Sequence, residues 1–113
     1  MFIDDGDRLR HILDACLSIQ TYTIGKTRVD FDADPVLCLA LIRLVEIIGE
    51  AVSKLSNELK QAHDEIPWID IVGMRNRLIH GYDAVDLSIV WQIVRRDLEP
   101  LVADLDRLLA ESE

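Results

Sequence analysis

Met74-Arg75-Asn76-Arg77-Leu78-Ile79-His80-Gly81-Tyr82 gathers two arginines, an asparagine, a histidine and a tyrosine into nine residues of an otherwise acidic chain. Arginine offers a planar fork that matches a phosphate and keeps its charge. Histidine titrates near neutrality, so one imidazole can take or give a proton. Asn76 adds neutral donors and an acceptor. Together they suffice for metal-free cleavage of an RNA phosphodiester. The ribose 2′-hydroxyl is the nucleophile, a base removes its proton, and cations stabilise the extra charge on phosphorus. DNA lacks that hydroxyl, so such a site selects RNA.

Arg75 and His80 are five positions apart, roughly 140° around an ideal helix. They would not share one face of a straight helix. If Gly81 ends the helix, His80 lies in the last turn, where unwinding can re-aim it and the helix C-terminus favours the imidazolium. The same residues also suit a plain helix end, with basic side chains capping carbonyls and Tyr82 packed on the bundle. Spacing alone favours that plainer reading. No group of histidine, cysteine and carboxylate residues shows metal-ligand spacing, so neither a metal nor a cofactor is implied.

The 113 residues point to one domain, 1–113. Half of them are apolar, and only three prolines and five glycines punctuate the chain, which favours long helices. The formal charge of −9 argues against a broad nonspecific nucleic-acid surface but leaves room for a local basic cleft. Cys16 and Cys38 sit in apolar runs and read as buried free thiols, which fits a reduced cytoplasmic setting. The start of the chain does not resemble a signal peptide, and no apolar run approaches the ~20 residues that span a bilayer.

Helical spacing then organises the chain. A first helix is expected from near Asp5–Asp7 to a stop at Gly25, carrying Leu9, Ile12, Leu13, Cys16 and Leu17. Thr27 to Asp34 reads as a polar connection, with Val29 and Phe31 available to turn inward. Asp34-Pro35 reads as cap and first residue of a second, central helix running to about Leu55. Its stripe is Leu37, Leu41, Leu44, Ile48, Ala51 and Leu55, widened by Leu39, Ala40, Ile47 and Val52. Glu46 and Glu50, with Arg43, form either a solvated, self-paired face or a set that orients the arginine or histidine of the motif. Ser56 caps a short helix to about His63; His63 and His11 read as surface residues. Pro67 opens a third helix carrying Trp68, Ile71, Val72, Arg75, Leu78 and Ile79. Tyr82 to Val85 is a turn, and Asp86 caps a fourth helix with the stripe Leu87, Val90, Val94, Leu98, Leu101, Leu105 and Leu108. Pro100 should kink or divide that helix. The acidic last stretch does not suit RNA contact. The fold class is all-α, an up-and-down bundle of four to five helices.

The residues resemble a known family along nearly the whole chain. Arg75-Asn76-Arg77-Leu78-Ile79-His80-Gly81-Tyr82 is similar to the R-x4-H-x-Y signature of HepT-like proteins of the HEPN superfamily. Asp7-Arg8 with His11-Ile12-Leu13, and Arg43 to Ala51, resemble its opening and central helices. Ile66-Pro67-Trp68 with Ile71 to Asn76, and Asp97-Leu98-Glu99-Pro100-Leu101, resemble the approach to the motif and the last helix. The resemblance implies a bundle that dimerises and joins two motif copies. It implies a metal-independent endoribonuclease, the toxin of a prokaryotic type VII toxin–antitoxin pair. Its partner would be a minimal nucleotidyltransferase antitoxin of the MntA type, which moves AMP from ATP onto Tyr82. Carried onto this chain, Arg75 and His80 are the catalytic pair, Asn76 supports them, and Tyr82 accepts AMP. Arg77, Arg95 and Arg96 are candidate RNA contacts, with solvent exposure or surface ion pairs as the plainer roles. The alternative is a catalytically weak HEPN dimer that binds the nucleotidyltransferase; a purely structural helical dimer stands behind both.

Overall fold

The structure is a computed structural model, and it describes residues 4–78 and 86–111. Helix α1 (Asp5–Thr23) begins within the expected range and is capped by Asp4, whose carboxylate accepts the Asp7 N–H at 2.8 Å. It ends just before Gly25, whose φ of 71° lies in the left-handed region that favours glycine. The connection that follows is not simply polar loop. Thr27 and Asp30 form a reciprocal capping box that starts the short helix α2 (Arg28–Asp32). A five-residue helix has too little length to show a period, and its two apolar residues part company: Phe31 is fully buried and Val29 exposed.

Helix α3 (Pro35–Ser53) begins as expected, with the Asp34 carboxylate accepting from Leu37 N–H and Pro35 in the first turn. It is central, packing against α1, α2 and the segments beyond residue 67. Its fully enclosed line is Leu41, Val45, Ile48 and Val52, flanked by Leu37 and Cys38. Val45 thus takes the middle of the stripe, while Leu44 and Ala51 are only partly buried and Leu39 faces outward. Ser56 caps α4 (Asn57–Ala62) and also donates its hydroxyl to Asp5, which ties the start of α1 to this corner. Arg8 adds a bond to the Lys54 carbonyl just past the end of α3. His63 is half-buried rather than exposed, and its carbonyl accepts from the Trp68 indole at 3.0 Å.

The third helix is interrupted. Pro67 precedes α5 (Trp68–Val72), Gly73 intervenes, and α6 runs Met74–Leu78. Gly73 has ψ of −7°, which tightens the turn at a residue of low helix propensity. Residues Ile79, His80, Gly81 and Tyr82 and the expected turn to Val85 lie outside the described residues. Asp86 caps α7 (Leu87–Gln92) as expected.

From there the helix widens into a π-helical turn (Ile93–Asp97) before α8 (Leu98–Glu111). The Leu98 N–H bonds to the Ile93 carbonyl five residues back. Pro100 explains the position: it has no N–H for the Arg96 carbonyl, and its ring would crowd that oxygen. The extra residue shifts the buried stripe. Ile93 is fully buried in place of Val94, and the line continues through Leu98, Leu101, Leu105 and Leu108.

The architecture is an all-α bundle. Four units carry it: α1, α3, the α5–α6 pair, and α7 with α8 across the π turn. Helix α1 packs on α3 and α8, and α3 on α5 and α6. Cys16 and Cys38 are buried free thiols inside this core, and burial pushes the Cys16 thiol up to about 12. No described helix is long and apolar enough to cross a membrane.

Candidate active site

Arg75 and Asn76 sit on the exposed side of α6, directly after the buried Met74. Met74 and Leu78 are 2% and 0% exposed, so these two positions of α6 are fixed in the core while Arg75 between them is exposed. The two polar residues open onto a cleft of about 290 Å³, shared with Glu46, Gly49, Glu50 and Ser53 of α3 and with Val72. Arg75 Nε lies 3.7 Å from Glu46 Oε2. Arg43 Nη1 approaches the same oxygen at 4.0 Å. Glu50 turns instead to Lys54, at 3.5 Å.

The closeness of α3 to this segment depends on Gly49. A Cβ at that position would stand 3.2 Å from the Val72 carbonyl oxygen, tighter than an ordinary contact. Glycine lets the backbone of α5 approach α3, and Arg75 follows three residues later. Of the two readings of the Glu46–Glu50 face, the structure therefore divides the pair: Glu50 is self-paired on its own helix, and Glu46 reaches the motif arginine.

The other basic residues go elsewhere. Arg77 Nη2 bonds Asp97 Oδ2 at 3.2 Å and so links α6 to the π turn. Arg95 Nη2 donates to the Lys26 carbonyl at 2.7 Å, and its guanidinium lies 4.7 Å over the Trp91 ring. Trp91 in turn meets Phe31 at 5.4 Å, so Arg95 closes a stack that pins α2 to α7. Arg96 is exposed, with Nε 4.0 Å from Asp97. Arg77 and Arg96 line a separate cleft of about 530 Å³ floored by Ile71, Met74 and Leu101. Neither lines the Arg75 cleft, and nor does Arg95. His80 and Tyr82 lie outside the described residues. Among the described residues no three histidine, cysteine or carboxylate side chains form a group that could hold a metal ion.

The structure brings Arg75 and Asn76, which the sequence singles out, to one cleft with Glu46, which the sequence offers in one of two readings. Sequence reasoning missed Gly49, for which an isolated glycine inside a strong helical pattern was the available signal.

The all-α bundle fits a HEPN-type protein. Residues 12–108 match the family model described as "Ribonuclease HepT-like", and the chain belongs to that family, an RNase of the HEPN type. Among curated proteins it is 37% identical to "Putative RNase TTE0752" of Caldanaerobacter subterraneus subsp. tengcongensis, over 93% of this chain and 94% of the relative. It is also 37% identical to "Probable ribonuclease HepT" of Thermococcus cleftensis, over 90% of this chain and 93% of the relative. A third relative, "Putative RNase MJ1380" of Methanocaldococcus jannaschii, is 31% identical over 87% of this chain and 90% of its own length. No solved structure matches the chain.

Proposed function

We propose that this chain is a metal-independent endoribonuclease toxin whose half-site is Arg75 and His80. It works as a homodimer and is silenced by AMP transfer to Tyr82 from a minimal nucleotidyltransferase antitoxin of the MntA type. One observation carries the catalytic part. Among the described residues, the Arg75 guanidinium is half-exposed beside an open cleft and paired with a carboxylate of another helix. Among the described residues it donates no hydrogen bond to a carbonyl of its own helix, the contact that the plain helix-end reading requires.

The chemistry follows from the residue types. His80 takes the proton of the ribose 2′-hydroxyl, the 2′-oxygen bonds to phosphorus, and the bond to the 5′-oxygen breaks, with that oxygen leaving as a protonated hydroxyl. Arg75 stabilises the charge that builds on the phosphoryl oxygens. Asn76 offers a further donor. AMP on Tyr82 would add a bulky anion two positions from His80 and exclude RNA phosphate.

The outer face of α3 supports a dimer. Val36, Leu39, Arg43, Glu46 and Glu50 fall within about 80° of the helix circumference. Val36 and Leu39 are 76% and 68% exposed, and this apolar end runs directly into the Arg75 cleft. A second copy covering that face would bring another half-site close to the first.

The test is expression of the wild type and His80→Ala without antitoxin, scored by growth and by RNA cleavage, with light scattering for mass. Growth arrest and cleavage by the wild type alone are expected. If neither variant slows growth or cleaves RNA, the toxin reading fails and the weak, partner-binding dimer takes its place. Incubation with the nucleotidyltransferase, ATP and magnesium should add AMP mass to the wild type and none to Tyr82→Phe. Mass on the phenylalanine variant would put the acceptor elsewhere.

A further inference from the structure

We propose that Glu46 is a positioning residue for Arg75: its carboxylate, carried on α3, fixes the direction in which the guanidinium meets the RNA phosphate. The inference rests on the reading of Arg75 as a catalytic group.

Three observations converge on it. The carboxylate is the better-held partner. Glu46 is 32% exposed on a nineteen-residue helix at the centre of the bundle, whereas the Arg75 side chain is 51% exposed. Left alone, that arginine would sample many rotamers, and each would have to be lost on binding phosphate.

The approach is also from a useful side. Glu46 meets Arg75 at Nε. A carboxylate on that edge leaves the edge formed by the two Nη atoms for a two-point contact with phosphate oxygens. Arg43 stands near the same Glu46 oxygen and offsets the repulsion that a lone carboxylate would exert on RNA.

The scaffold enforces the meeting. Gly49, one turn after Glu46, lets α3 close on the Val72 carbonyl, so the start of α6 cannot drift from the carboxylate without opening that contact. An ion pair this exposed contributes little to stability. Its effect is on geometry.

The experiment uses the full chain and a fluorophore-labelled, mixed-sequence single-stranded RNA. Wild type, Glu46→Gln, Glu46→Asp, Arg75→Ala and a charge-matched control, Asp106→Asn on the exposed side of α8, are compared for kcat, KM and melting temperature. The Arg75 Nε–H signal is followed by 15N-edited NMR. Glu46→Gln is expected to lower kcat about tenfold to a hundredfold, the scale of a small misplacement of a catalytic group. KM and melting temperature should change little, Glu46→Asp should recover part of the loss, and Asp106→Asn should behave as wild type. The Arg75 Nε–H signal should shift and exchange faster in Glu46→Gln.

Cleavage by Glu46→Gln at or above the wild-type rate would overturn the proposal and make Glu46 a bystander that repels RNA. A loss matched by a fall in folded fraction would overturn it in favour of a structural role. If Arg75→Ala still cleaves, the catalytic reading of Arg75 fails instead. The Nε–H signal then still shows whether Glu46 holds the guanidinium: an unchanged signal in Glu46→Gln would overturn the contact.

Discussion

The backbone N–H of Asp86 donates to the carbonyl of Leu78 at 2.7 Å, joining the chain across the segment 79–85. Leu78 is fully buried, and the Asp86 carboxylate caps α7 by accepting from the Ser88 and Ile89 N–H groups. The two described residues that flank the stretch containing His80 and Tyr82 are thus bonded directly to each other.

Asp86→Ala should cost about 1 kcal/mol, the usual value of a lost N-terminal cap, read from the urea midpoint. RNA cleavage should fall by more than that stability loss explains, because one anchor of the motif segment loosens. Asp86→Asn, which can still cap, should restore both.

Gly49→Ala weighs two effects. Alanine gains up to about 1 kcal/mol of helix propensity. Its Cβ, at 3.2 Å from the Val72 oxygen, must push a backbone carbonyl aside, and overpacking of this kind costs about 1–3 kcal/mol. We expect net destabilisation in thermal melts and a loss of cleavage. An unchanged rate would show that the spacing of α3 and α5 does not matter to the site.

Arg95→Ala should lower stability by about 1–2 kcal/mol through the lost carbonyl bond and ring contact. RNA affinity measured by fluorescence anisotropy should not change, since Arg95 is committed to Lys26 and Trp91. Weaker RNA binding with unchanged stability would reverse the assignment.

Cys16 titrates at about 12 in the fold against an ordinary 9.0, because burial disfavours the thiolate. The native state holds that proton more tightly than the unfolded chain. Its contribution to stability is therefore complete below about pH 9 and declines as pH rises toward about 12. Wild type should lose urea resistance faster than Cys16→Ala across that window. Iodoacetamide near neutral pH should label Cys16 only after unfolding, as followed by intact mass.

Local signals made much of the fold legible. Asp34-Pro35, Ser56 and Asp86 each announce a helix start through a single side chain that bonds a nearby N–H, and each does so in the structure. What escaped depends on neighbours distant in sequence. The π turn changes which of Ile93 and Val94 is buried, although both positions fit a helical stripe. The helix at Arg28–Asp32 is too short for a period and is held by Phe31 and Trp91 meeting across the fold. At the site, Arg75 and Asn76 stand out by residue type, while spacing alone favours a plain helix end and the family resemblance assigns them a role. The ion pair of Arg75 with Glu46 is only one of two readings there, because nothing local distinguishes Glu46 from Glu50.

The π turn also sets where the last helix can change length. Buried positions run Val90, Ile93, Leu98 and Leu101, with one residue more than an α-helical path between the middle pair. Removing a residue from 93–97 would leave both flanking faces in phase, with Pro100 still denying a partner to the carbonyl four residues before it. Removing one from α7 or α8 would rotate everything beyond it by about 100° and turn the apolar stripe toward water. A one-residue deletion in this helix is thus tolerable at one turn, beside Arg77 and its partner Asp97, and disruptive at every other.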